Sequence, residues 1–170
     1  MSALRAGAAF LAVCLAVVLQ VSVFPHLAWQ GIVPNLCLLV VVGAALTRGP
    51  QFAALLGFVA GVALDLAPPA DHVAGRWALA LVVVGYLAGR MRQSTKPTAT
   101  AVVATVAASS FVGSSIFAIS GLVLRDPALA VPDLLQVILV AVCWDILLTP
   151  FVLPPVMAMF RHLQADRSLA

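Results

Sequence analysis

The sequence predicts an all-α, polytopic membrane protein of six transmembrane helices with both termini cytoplasmic. Three observations carry this. First, 64% of the 170 residues are hydrophobic and only 9% are charged, against about 25% charged in a typical soluble domain. So little polar surface cannot cover a water-soluble globule, and the main solvent must be lipid. Second, proline, glycine and charged clusters cut the chain into apolar stretches at 6–24, 32–46, 51–66, 74–91, 98–124 and 134–160. Each is near the roughly 20 residues needed to cross a bilayer. Third, with the amino end inside, Arg5, Arg48, Arg90, Arg92, Lys96, Arg161 and Arg167 all fall on the cytoplasmic side. Only Arg76 and Arg125 fall outside, so the positive-inside rule fixes the orientation. The whole chain, 1–170, forms one membrane domain with no separate soluble one.

The first span is stopped by Pro25 and followed by a short interfacial loop with His26 and Trp29. It is too long for a secretory signal core, and further apolar runs follow, so it reads as an uncleaved span. Pro34 and Asn35 open a short second span, which starts before Pro34, tilts little or sits in thin bilayer. Arg48-Gly49-Pro50 is a tight turn, with Pro50 suited to the first turn of the next helix. The third span holds Gly57, Gly61 and Asp65 at i, i+4 and i+8, on one helix face. Two glycines there admit a close neighbour, and the carboxylate must turn toward protein or water. This helix is expected to be the packing centre of the bundle.

Pro68-Pro69 breaks the third span, and the fourth carries Gly85 and Gly89, again one turn apart. The fifth bears a small-residue stripe, Ala101, Thr105, Ser109 and Gly113, with Ser110, Ser114 and Ser115 adding hydroxyls. The sixth contains Pro150, Pro154 and Pro155, so a kink or break is expected, with the segment after Leu153 crossing or lying on the surface.

Chemistry-bearing residues are few. Asp145 lies near the middle of the sixth span, where a carboxylate costs about 2.5–3.5 kcal/mol on insertion scales. It needs a partner: Thr149 one turn along, a fifth-span Ser or Thr, or a backbone group. Its alternatives are an ion or substrate site and a hydrogen-bonded packing group beside a proline kink. Arg76 shares an outer loop with Asp71 and His72, and a salt bridge to Asp65 or Asp71 is expected. Cys14, Cys37 and Cys143 have no metal or redox spacing and read as small buried hydrophobes. There is no glutamate, no paired acid and base, and no phosphate-cradling glycine loop. Neither an enzyme nor a cofactor is expected. The scattered basic residues do not indicate nucleic acid.

Taken together, these residues match a pattern. Pro34-Asn35-Leu36, Arg48-Gly49-Pro50, the helix with Gly57, Gly61, Asp65 and Leu66, then Gly85-Tyr86-Leu87-Ala88-Gly89-Arg90, and Asp145 before Pro150 resemble the rod shape-determining protein MreD family. The resemblance covers most of the chain. Its departure is Asn35, where the family pattern has aspartate; this keeps a hydrogen-bonding helix start without the charge. The resemblance implies a non-enzymatic scaffold of the bacterial cell-elongation machinery in the cytoplasmic membrane. It implies binding to the transmembrane helix of MreC and, through it, links to MreB and to the peptidoglycan glycosyltransferase and transpeptidase that build lateral wall. It also implies a fold similar to the substrate-binding subunits of energy-coupling-factor transporters. The partner-binding or structural candidates are Gly57, Gly61, Asp65, Gly85, Gly89, Arg76 and Asp145. The alternative is a small-molecule-binding membrane subunit or transporter, with Asp65, Asp145 and fifth-span hydroxyls lining a cavity.

Overall fold

The apolar runs fold as helices because lipid leaves backbone groups no other partner than one another. The computed structural model describes residues 3–29, 31–68, 72–92, 97–125 and 134–165. Its α-helices are α1 (Ala3–Ser22), α2 (Leu36–Arg48), α3 (Pro50–Leu66), α4 (Arg76–Arg90), α5 (Ala99–Val123) and α6 (Leu134–Ala165). A 3-10 turn spans Phe24–Leu27, and no strand forms among the described residues. Lys96 and Arg167, used in the topology above, and Asp71, a candidate partner of Arg76, lie outside the described residues. Two helical stretches, Ala99–Val123 and Leu134–His162, are long and apolar enough to cross a membrane. Ala6–Ser22, Leu36–Arg48 and Pro50–Leu66 are apolar but shorter.

Helix direction alternates along the chain. The end of α1 meets the start of α2 where Gln20 accepts from the Cys37 N–H. The α2–α3 turn needs Gly49, whose φ of 93° lies in the left-handed region. Pro50 then occupies the first position of α3, where its missing N–H costs nothing.

The packing centre is α2, not α3. Every residue from 36 to 47 is buried, and α2 touches all five other helices. An apolar helix with no polar face is the element a bundle can surround. The third-span motif misled because its glycines mark the closest helix pair rather than the middle of the bundle. At 13 residues, α2 is only about 20 Å long. It does not begin before Pro34. Asn35 is its cap, with Oδ1 accepting from the Leu38 N–H at 2.9 Å. Pro34 and Asn35 are buried but not helical, an arrangement tolerated at membrane depth only inside protein.

Of the kink or break expected in α6, the break is absent. The helix runs unbroken through Pro150, Pro154 and Pro155 over 32 residues, about 48 Å. Packing holds the distal part: Leu153, Met157 and Phe160 are buried in the core, and Phe160 sets its ring edge-on to Phe52, 5.8 Å between centroids. The cysteines also depart from expectation. Cys37 is buried, but Cys14 is half-buried and Cys143 exposed. In a chain whose solvent is lipid, an apolar position need not face the core.

Candidate functional site

The glycines come first, because they decide how close two helices lie. A Cβ at Gly57 would fall on the Leu81 carbonyl, and one at Gly61 on the Ala78 backbone. Reciprocally, a Cβ at Gly85 would meet the Ala53 carbonyl, and one at Gly89 the backbone of Pro50. All four would be closer than the 3.0 Å that real Cβ atoms respect. So α3 and α4 form an antiparallel pair with glycine facing backbone on both sides, the small-residue contact that membrane helices favour. These faces are therefore closed. The sequence offered them as docking surfaces for a partner; in the fold they are consumed inside the chain.

Asp65 completes this pair. One turn beyond Gly61, its carboxylate accepts from the backbone N–H groups of Gly75 (2.8 Å), Trp77 (3.0 Å) and Ala78 (3.1 Å). Gly75, the cap residue of α4, has no side chain for the task. The first N–H groups of a helix have no partner within it, and a carboxylate there also suits the helix dipole. Asp65 thus caps α4 from another helix, and Gly61 allows the approach that makes this reachable. His72 Nε2 lies 3.1 Å from Asp65 Oδ1.

Arg76 is 2% exposed. Its Nε and Nη2 donate to the Phe117 carbonyl of α5 at 3.2 and 2.7 Å. Its guanidinium lies 3.8 Å from the centroid of the Phe117 ring. Trp77 stacks on the same ring at 4.3 Å, and His72 meets it edge-on at 5.3 Å. Phe117, not singled out in the sequence, thus joins the start of α4 to α5. An aromatic in an apolar helix gives no sequence signal of that role.

Asp145 is 1% exposed. Its Oδ1 accepts from the Asn35 backbone N–H at 2.8 Å, and its Oδ2 from the Ser110 hydroxyl at 2.6 Å. Thr149 donates to the Asp145 carbonyl rather than the carboxylate, at 2.7 Å. One carboxylate therefore ties α6 to α5 and to the non-helical entry of α2. It supplies the acceptor that an unwound backbone N–H requires in a water-poor interior. Both carboxylates, Asp65 and Asp145, are already occupied by donors from the chain. They tie helices together, and they lie on different helices, α3 and α6. No group of three His, Cys, Asp or Glu side chains gathers among the described residues.

These features define a class: a small all-helical membrane protein whose buried carboxylates hold its own helices together. Within that class the family is shown by comparison. The model of the family rod shape-determining protein MreD matches residues 3–162, and the chain belongs to that family. The family places it in rod shape determination and among membrane proteins. Searches of curated proteins and of solved structures return no match.

Proposed function

We propose that this protein is a non-enzymatic scaffold of the cell-elongation machinery that binds the transmembrane helix of MreC. Through MreC it connects to MreB and to the peptidoglycan glycosyltransferase and transpeptidase. All six helices cross the bacterial cytoplasmic membrane, with both termini cytoplasmic and the fold similar to that of energy-coupling-factor substrate-binding subunits. The observation that carries the reading is the family match over nearly the whole chain. The geometry supports it by elimination: the glycine faces hold α3 to α4, and the carboxylates bind backbone and hydroxyl groups.

A long apolar groove of about 430 Å³ stays open between α1 and α6, floored by Leu36 and Val40 of α2. Its walls include Leu11, Leu15 and Phe151, which are 68%, 58% and 74% exposed. Apolar side chains along several turns of two helices suit a third helix. The test is co-purification from membranes with a tag at the carboxyl end. MreC is recovered with the wild type. Leu15→Trp, which obstructs the groove, lowers recovery at least roughly fivefold, about 1 kcal/mol of binding. Leu87→Trp, on the outward face of α4, leaves recovery unchanged. No association of MreC with the wild type would refute the reading.

A further inference from the structure

A second groove, of about 400 Å³, lies where α2 and α4 finish and α5 begins. Leu46 of α2 forms its floor, and Met91 and Pro97 bound its end. Its long wall is the small side of α5, with Ala101, Ala104 and Ala108. From Ala101 to Ala108 that wall covers about 10 Å of helix. Ala104 and Ala108 are exposed, so the groove opens sideways along α5. In a membrane protein that side meets lipid. Thr105 also lines the groove, but its hydroxyl donates to the Ala101 carbonyl at 2.8 Å. The groove therefore offers mainly apolar contact, over a length that suits part of an acyl chain.

The end of this groove is basic. Arg90 and Arg92 flank Met91 in the chain, and both are exposed. Arg92 reaches back over the α2–α3 turn, where its Nη1 stands 3.6 Å from the place a Cβ would take at Gly49. Leu46, the floor of the groove, is three residues before that glycine. Arg48 belongs to the same turn and lies over the Phe52 ring, 4.8 Å from its centroid. The two described aspartates are engaged elsewhere, Asp65 at the start of α4 and Asp145 at the start of α2. Residues 93–96 lie outside the described residues; in sequence they add Lys96 and no acid. The one acid in the chain after Asp145 is Asp166, also outside them.

Guanidinium groups pair with phosphate oxygens through two parallel hydrogen bonds. Basic pockets between membrane helices suit anionic lipid headgroups. A cationic end joined to an apolar groove selects a molecule with an anion at one end and a hydrocarbon chain at the other. We propose that one anionic phospholipid occupies this groove, with an acyl chain along α5 and its phosphate at Arg90 and Arg92. The inference is independent of MreC and requires only that the bundle sit in a membrane.

Native mass spectrometry of the full-length protein in detergent tests it. The protein is titrated with phosphatidylglycerol and with phosphatidylethanolamine of the same chains, whose ammonium cancels the phosphate charge. One phosphatidylglycerol is expected to bind at least roughly tenfold tighter, since each arginine near an anionic headgroup is worth about fivefold. Arg90→Gln with Arg92→Gln, both at exposed positions, brings the two lipids to about equal affinity. Arg161→Gln, exposed near the end of α6 and outside the groove, leaves the preference unchanged. Ala104→Phe, at an exposed position of the groove wall, weakens both lipids; Ala108→Phe does the same if the first variant fails to fold. Glycerol phosphate, which has no chains, does not compete. Equal binding of the two lipids by the wild type would overturn the proposal. So would the same loss from Arg161→Gln as from the double variant, undiminished binding to the filled groove, or displacement of the lipid by glycerol phosphate.

Discussion

At the scale of the residue, two carboxylates decide how the helices are joined. Asp145 accepts from a backbone N–H and a hydroxyl, both buried. Asp145→Asn keeps one acceptor for the Asn35 N–H, and the Ser110 oxygen can accept from the new amide. It should lower stability by no more than about 1 kcal/mol. Asp145→Leu leaves both donors unsatisfied and should cost about 3 kcal/mol. Denaturant unfolding in detergent compares the two, and equal losses would show that the hydrogen bonds are not what matters. Asp65→Ala should raise amide exchange at Gly75, Trp77 and Ala78 while leaving the α2 amides protected, because it removes only the cap of α4. From the sequence, Asp145 had to face the bundle with a partner and Asp65 had to turn toward protein or water, since lipid offers neither anything. Which atoms they meet was not legible, because Asn35 and Ser110 lie 110 and 35 positions from Asp145.

At the scale of the element, the α3–α4 pair is set by glycine on both sides. Gly61→Ala pushes a methyl group into the Ala78 backbone and should destabilise by about 2 kcal/mol. Gly7→Ala, with open space around it, should be neutral or stabilising by roughly 0.5–1 kcal/mol, as expected for a helical glycine. Thermal unfolding of both variants checks the contrast; equal effects would remove close approach as the cause. The glycine spacing was readable in the sequence, but its partner was not, since Gly57-Gly61 and Gly85-Gly89 each suit any small face. The central place of α2 was unreadable for a similar reason. In a membrane, an all-apolar helix is equally at home facing lipid or protein. The continuity of α6 through three prolines depends on packing at Leu153, Met157 and Phe160, which no local pattern reports.

At the scale of the whole molecule, composition was the strongest guide: few charges and long apolar runs left only a helical membrane fold. The charge distribution predicts that a reporter fused after Ala170 reads as cytoplasmic; an external readout would overturn the topology. With its glycine faces and carboxylates turned inward, the bundle presents lipid-like walls and the α1–α6 groove. That groove is the surface through which the molecule is proposed to act. The most direct test places a photo-crosslinking amino acid at Leu15 or Phe151 in the groove, and at Leu79 or Tyr86 on the outward face of α4, in growing cells. The account predicts adducts with the transmembrane helix of MreC from both groove positions and none from α4. Adducts confined to α4, or none from any position while MreC is present, would contradict it.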